Sequence, residues 1–116
     1  MNLAETAALA HATLDEETTH PVVYGPPFEH APAGPCYTIG LPRIIEGAGQ
    51  TPVWSTAVDV RCYPSSSGNY HELLAMADEA ATALAGTGRL TVSAVDGVAQ
   101  YLDADLNIYT LTVEAS

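Results

Sequence analysis

The sequence has no lysine, and its three arginines, Arg43, Arg61 and Arg89, stand against fourteen carboxylates for a formal charge of -11 over 116 residues. A protein that grips duplex DNA neutralises several phosphates with Lys and Arg, roughly 6 to 10 in strong cases. Three guanidiniums cannot supply that, and the same shortage argues against anionic membrane surfaces and phosphorylated substrates. Cysteine is scarce too: Cys36 and Cys62 make no disulfide framework, and in a cytoplasmic protein both are expected reduced. No apolar run approaches the ~20 residues of a membrane helix, and residues 1–14 lack the basic and apolar regions of a signal peptide. The expectation is a chain made and kept in the cytoplasm, with a surface that repels polyanions.

What is present is globular. Apolar residues make up 47% of the chain and charged residues 15%, and the length fits a single domain over residues 1–116. A core of that size gives marginal stability, so association between subunits is expected. Asn2 with Glu5 reads as a capping box, and Leu3, Ala7, Ala10 and Leu14 recur at helical spacing, which places a helix over residues 2–17. Residues 18–35 carry Pro21, Pro26, Pro27, Pro32 and Pro35, which remove backbone donors and fix φ. They form an extended proline-rich arm, with a short strand at Val22 to Tyr24.

Two β-favouring runs follow, residues 36–45 and 53–63, joined by a Gly-rich turn into a hairpin. Apolar positions are odd in the first run and even in the second, so same-face antiparallel pairs have numbers that sum to an odd value. Cys36 and Cys62 sum to 98, which puts them on opposite faces, unable to bridge, unless a bulge near Pro42 shifts the register. After a Ser/Gly turn, Asn69 and Glu72 form a second capping box for a helix carrying Leu73, Leu74, Ala77, Ala80, Ala81 and Leu84 and ending at Gly86. Residues 90–95, an Asp96-Gly97 turn, residues 98–102 and residues 106–113 then read as strands. Apolar parity changes near Tyr109, so either a bulge sits there or both faces are covered. The pattern is an α+β domain, with an antiparallel sheet of four to five strands and two helices packed on it.

Catalytic and metal chemistry find no foothold. His11, His20, His30 and His71 have no zinc-ligand spacing with one another or with the cysteines. Asp15, Glu16 and Glu17 read as a solvated helix end rather than a cation site, and their charge opposes the helix dipole there. No nucleophile elbow is present, residues 65–67 are a turn, and Cys62 alternates with core residues. Gly47-Ala48-Gly49 lies between strands with no Lys, as a hairpin tip and not a phosphate loop. The chain is therefore expected not to be an enzyme and to need no metal or cofactor. The aromatics are more informative, because Tyr24, Trp54, Tyr63, Tyr70 and Tyr101 lie near strand ends or turns where interface contacts are common.

The run from Pro35 through Cys36, Tyr37, Ile39, Gly40, Leu41, Pro42 and Arg43 to Ile44, the strand from Trp54 to Tyr63 entering a Ser/Gly turn, the helix from Tyr70 to Leu84 and the closing strands through Val113 resemble the tail terminator, or tail completion, proteins of long-tailed bacteriophages. The likeness is nearest to siphophages of high-GC hosts, whose coding favours alanine over lysine. It covers most of the chain, and the family carries no invariant catalytic signature. The resemblance implies a structural assembly protein of the virion, put together in the host cytoplasm and resident at the head-tail junction. It implies a homo-oligomeric ring, commonly a hexamer, that caps the tail tube, stops its polymerisation and presents the joining surface. The implied partners are the major tail tube protein and a head-completion or neck protein, with DNA passing through the lumen without specific binding and no membrane involved.

Under that resemblance the subunit or tail-tube interface is expected to draw on Arg43, Glu46, Gln50, Trp54, Arg61, Tyr63 and Tyr70, around the hairpin and the second helix. Lumen-facing acids are expected among Asp59, Asp96, Asp103 and Asp105, since carboxylates there keep passing DNA from sticking. Each arginine is expected to pair with a carboxylate within or between subunits. The other reading of the same residues is a free-standing cytoplasmic α+β module that binds a ligand or a protein, or another phage neck protein.

Overall fold

The computed structural model describes residues 1–25, 34–46, 54–65, 70–99 and 106–115, with Glu46 and Trp54 described through their backbone alone. The first helix, α1, spans Leu3–Glu17, and its start is the capping box read from sequence: Asn2 Oδ1 accepts from Glu5 N at 2.8 Å while Glu5 Oε1 accepts from Asn2 N at 3.2 Å. Its acidic end does not unravel before Glu17, because Thr18 caps it, donating both its backbone N–H and its hydroxyl to the Leu14 carbonyl. The chain then enters β1, Val22–Tyr24, which pairs in parallel with β2, Cys36–Ile39. The opening of the proline-rich segment is thus a sheet edge on its own domain, and residues 26–33 lie outside the described part.

The expected hairpin is present in broken form. β2 and β3, Arg43–Glu46, both pair antiparallel with the ten-residue β4, Trp54–Tyr63, along the same edge. β2 keeps the odd register, Tyr37 opposite Cys62, whereas β3 is shifted by one, Arg43 opposite Ala57. The one-residue slip falls at residues 40–42, where Pro42 removes a ladder donor and Gly40 N donates instead to the Asp59 carbonyl at 2.9 Å. Cys36 therefore faces away from Cys62, and both are free and buried. Their thiols are pushed up by desolvation, Cys62 to about 12.

The second helix, α2, spans Tyr70–Ala85 and is followed by β5, Leu90–Val98, and β6, Ile108–Ala115. The sheet runs β1-β2-β4-β6-β5 with β3 beside β4, and the parallel β1 makes it mixed rather than purely antiparallel. Asp96 and Gly97 do not form a turn. They continue β5, opposite Thr110 and Tyr109 of β6, and a Cβ on Gly97 would stand 3.3 Å from the Tyr109 ring. The glycine is there for the ring to lie across the strand, a role that looks the same in sequence as a turn glycine.

Both helices pack on one face of the sheet. Leu14 of α1 and Met76, Ala80 and Leu84 of α2 close over Tyr37, Ile39, Val58, Val60, Cys62, Leu111 and Val113, all essentially inaccessible. Tyr37 donates its hydroxyl to the Met76 carbonyl at 3.0 Å, which satisfies the one polar atom that it carries into this core. On the other face Cys36, Tyr63, Leu106 and Ile108 form a smaller buried cluster. That second cluster resolves the parity change in β6: Ile108 and Tyr109 point to opposite, covered faces, and the register irregularity of the β5–β6 pair lies on β5, between Val92 and Ala94.

Candidate functional site

The same alternation that aims Val58, Val60 and Cys62 at the helices aims Ala57, Asp59, Arg61 and Tyr63 at the opposite face. Because β3 has slipped by one residue, Arg43 joins that face, directly across from Ala57. Its guanidinium meets the Asp59 carboxylate at 3.1 Å, and Arg61, two residues along β4, reaches the other carboxylate oxygen at 3.9 Å. Two of the three arginines in the chain thus share one carboxylate. The Arg43 side chain is 44% exposed, Arg61 20% and Asp59 27%, so the pair with Arg43 is solvent-screened and contributes under about 1 kcal/mol. One acid cannot neutralise two bases, so among the described residues the cluster keeps a net positive charge.

Beside this cluster, at the break between β2 and β3, lies a groove of about 660 Å³. Asp59 and Arg61 form its polar side; Tyr24, Ile39, Leu41 and Pro42 supply most of the rest. Leu41 is 92% exposed and Tyr24 57% exposed, large apolar surface on the rim of a charged site. The wall formed by β1 is held from behind. The His11 ring stacks on Tyr24 with centroids 4.5 Å apart, and His11 Nε2 lies 3.1 Å from the Val22 carbonyl. Gly40 lies beside Arg61: a Cβ there would stand 3.4 Å from the guanidinium, an ordinary contact distance. On the same open face, across from Arg61, the buried Thr38 hydroxyl has no hydrogen-bond partner.

The remaining sequence-derived candidates scatter. Tyr63 is fully buried in the smaller cluster with Cys36, Leu106 and Ile108 and offers no exposed surface. Tyr70 is 61% exposed at the start of α2, at a shallow depression shared with Gly97, Val98, Asn107 and Tyr109, away from the arginines. Glu46 is paired with Trp54 through the backbone at the end of the β3–β4 ladder. Asp96 is exposed on the edge strand β5, and Asp59 is held between arginines rather than standing free. Gln50, Asp103 and Asp105 lie outside the described residues, as does Asn69 of the second capping box. The groove itself was missed in sequence because it depends on the strand break; the signal for it was Leu41-Pro42 interrupting an alternating run.

Among the described residues no cluster of His, Cys, Asp or Glu has the arrangement to hold a metal, and no helix is long and apolar enough to cross a membrane. The arrangement at the groove is suited to binding: an apolar rim, one guanidinium with donors to spare, and a carboxylate already occupied. No protein-family model matches the chain, and no curated protein matches it.

Proposed function

We propose that the protein is a phage tail terminator: a structural subunit that forms a ring, commonly six copies, on the end of the tail tube, stops polymerisation and offers the surface to which the head joins. The observation that carries the reading is the sequence resemblance from Pro35 to Val113, whose segments fall on the elements of one continuous sheet with both helices on a single face. The charge suits the role. A ring of such subunits presents DNA with a lysine-free, strongly acidic protein, and exposed acids such as Asp96 keep the polyanion from adhering. The open sheet face and the groove at residues 40–42 supply surface for neighbours in a closed assembly. Deleting the gene from its phage is the direct test. Tails of uncontrolled length that fail to join heads are expected; tails of normal length joined to full heads overturn the reading.

A second reading, a free-standing module that takes a ligand in the same groove, is favoured only by the groove's size, which is that of a small-molecule site. A well-behaved monomer with a small molecule seated between Leu41 and Arg61, in a protein whose deletion leaves tails unchanged, would replace the first reading with this one.

A further inference from the structure

Arg43, Arg61 and Arg89 are the only permanently cationic side chains in the sequence, which makes them the first candidates for a charge-complementary contact between two copies. Arg61 lines the groove and Arg43 meets it through Asp59, and among the described residues these three side chains leave one positive charge uncompensated. The rim beside them is apolar and exposed, with Leu41 at its crest. Arg61 and Tyr24, which line this groove, are of the residue types enriched in interface hot spots.

The complementary surface lies on the opposite layer of the same molecule. Neither helix has a basic residue in its last turn. Glu16 and Glu17 at the end of α1 border a depression with Thr82 of α2, and Glu17 shares a second one with Asp78 and Glu79. These acids sit at the negative end of α1 or along the outer side of α2, with no arginine near enough to pair with them among the described residues.

We infer that the Arg43–Asp59–Arg61 groove is the seat of a second copy of this chain, which inserts the carboxylates of its helix ridge, Glu17 foremost, against Arg61 while Leu41 packs on the small Thr82 and Ala83 beside them. The inference rests on the assembly reading for its premise that copies meet copies, and it supplies the surfaces. Groove and ridge are different patches, so the contact is heterologous, and repetition gives a ring or an open helical array rather than a two-fold dimer. The excess negative charge of each copy opposes approach at long range. Salt at ~0.15 M screens that repulsion beyond about 8 Å and leaves ion pairs formed at contact far less affected.

The test is sedimentation and native mass spectrometry of the full chain at that ionic strength, for wild type, Arg61→Glu, Leu41→Glu and Glu17→Arg. Self-association of wild type is expected, weakened roughly 30-fold or more by each of the two arginine-to-acid and acid-to-arginine reversals. Leu41→Glu guards against misfolding, because a side chain 92% exposed contributes nothing to the core; it is expected to weaken association with the thermal midpoint unchanged. An equimolar mixture of Arg61→Glu and Glu17→Arg is expected to recover assembly, since one junction is then native and the other is charge-swapped. A wild type that stays monomeric at every concentration, or association indifferent to all three substitutions, overturns the inference. Gene deletion tests the assembly reading separately: variants that still form rings and trim tails sink the groove and spare the terminator, whereas groove-dependent rings with untouched tail length do the reverse.

Discussion

The two faces of the sheet are made by the same strands and behave differently. On the helix side, Val58, Val60 and Cys62 of β4 are fully inaccessible, and Leu111 and Val113 of β6 continue that surface under Leu14, Met76 and Leu84. On the other side, the alternate residues Asp59 and Arg61 remain partly exposed and answer each other electrostatically, with Arg43 joining from β3. Among the described residues, a small apolar cluster forms at one end of the open face, around Tyr63 and Ile108. The comparison separates two jobs. Stability resides in the covered face, while the open face carries the groups that another molecule can engage.

The largest expected effect lies on the covered face. Leu111→Ala removes a side chain with no exposure from the main core, and a loss of about 2 to 5 kcal/mol in denaturant unfolding is expected; a loss below about 1 kcal/mol would mean that the two faces share stability more evenly. The same face sets an alkaline limit. Tyr37 is raised chiefly by burial, with Cys62 and Glu79 adding to it, and Cys62 is raised by burial from 9.0 to about 12. Above pH 9 the unfolded thiol releases its proton while the folded one holds it, so stability is full below 9 and falls progressively as pH approaches 12. Thermal midpoints measured across that window are expected to decline, and Cys62→Ala to flatten the decline even as it lowers the starting stability.

Effects on the open face are smaller and one has the opposite sign. Thr38→Val replaces a buried hydroxyl that has no partner with a methyl of nearly the same shape, so a gain of about 1 kcal/mol is expected; destabilisation would show that the hydroxyl is satisfied. Smallest is Asp59→Asn. The ion pair with Arg43 is solvent-screened, and folding stability should move by less than about 1 kcal/mol. A much larger loss in the isolated subunit would place the cluster among the fold's supports and blur the division of labour between the faces.

Sequence reasoning was good where a local pattern has one physical meaning. The Asn2–Glu5 box, the helix through Leu73, Ala77, Ala80 and Leu84, and the odd-sum register that keeps Cys36 from Cys62 all correspond to what the chain does. It failed where one residue type has two uses. Asp96-Gly97 has the composition of a hairpin turn, yet Gly97 is a strand residue that makes room for the Tyr109 ring, a tertiary fact invisible from neighbours in sequence. The parallel pairing of Val22–Tyr24 with Cys36–Ile39 could not be read either, because nothing local distinguishes an edge strand that docks in parallel from an extended arm. Nothing local in sequence ties Arg43 to Arg61, which the structure joins through Asp59, and nothing at the end of its strand marks Tyr63 as interior.

β4 has partners close in sequence on one side and a distant partner on the other. Its first partners, β2 and β3, are available as soon as it is made, but Ala57 finds Glu114 and Val60 finds Leu111 only when the final strand arrives. Closing a loop of about fifty residues is slow compared with forming a helix or a local hairpin. A chain lacking Ile108–Ala115 leaves the Ala57–Cys62 edge of β4 with unmet backbone donors and acceptors, a template for pairing with another strand, so truncation before Ile108 is expected to give aggregates in place of a folded subunit.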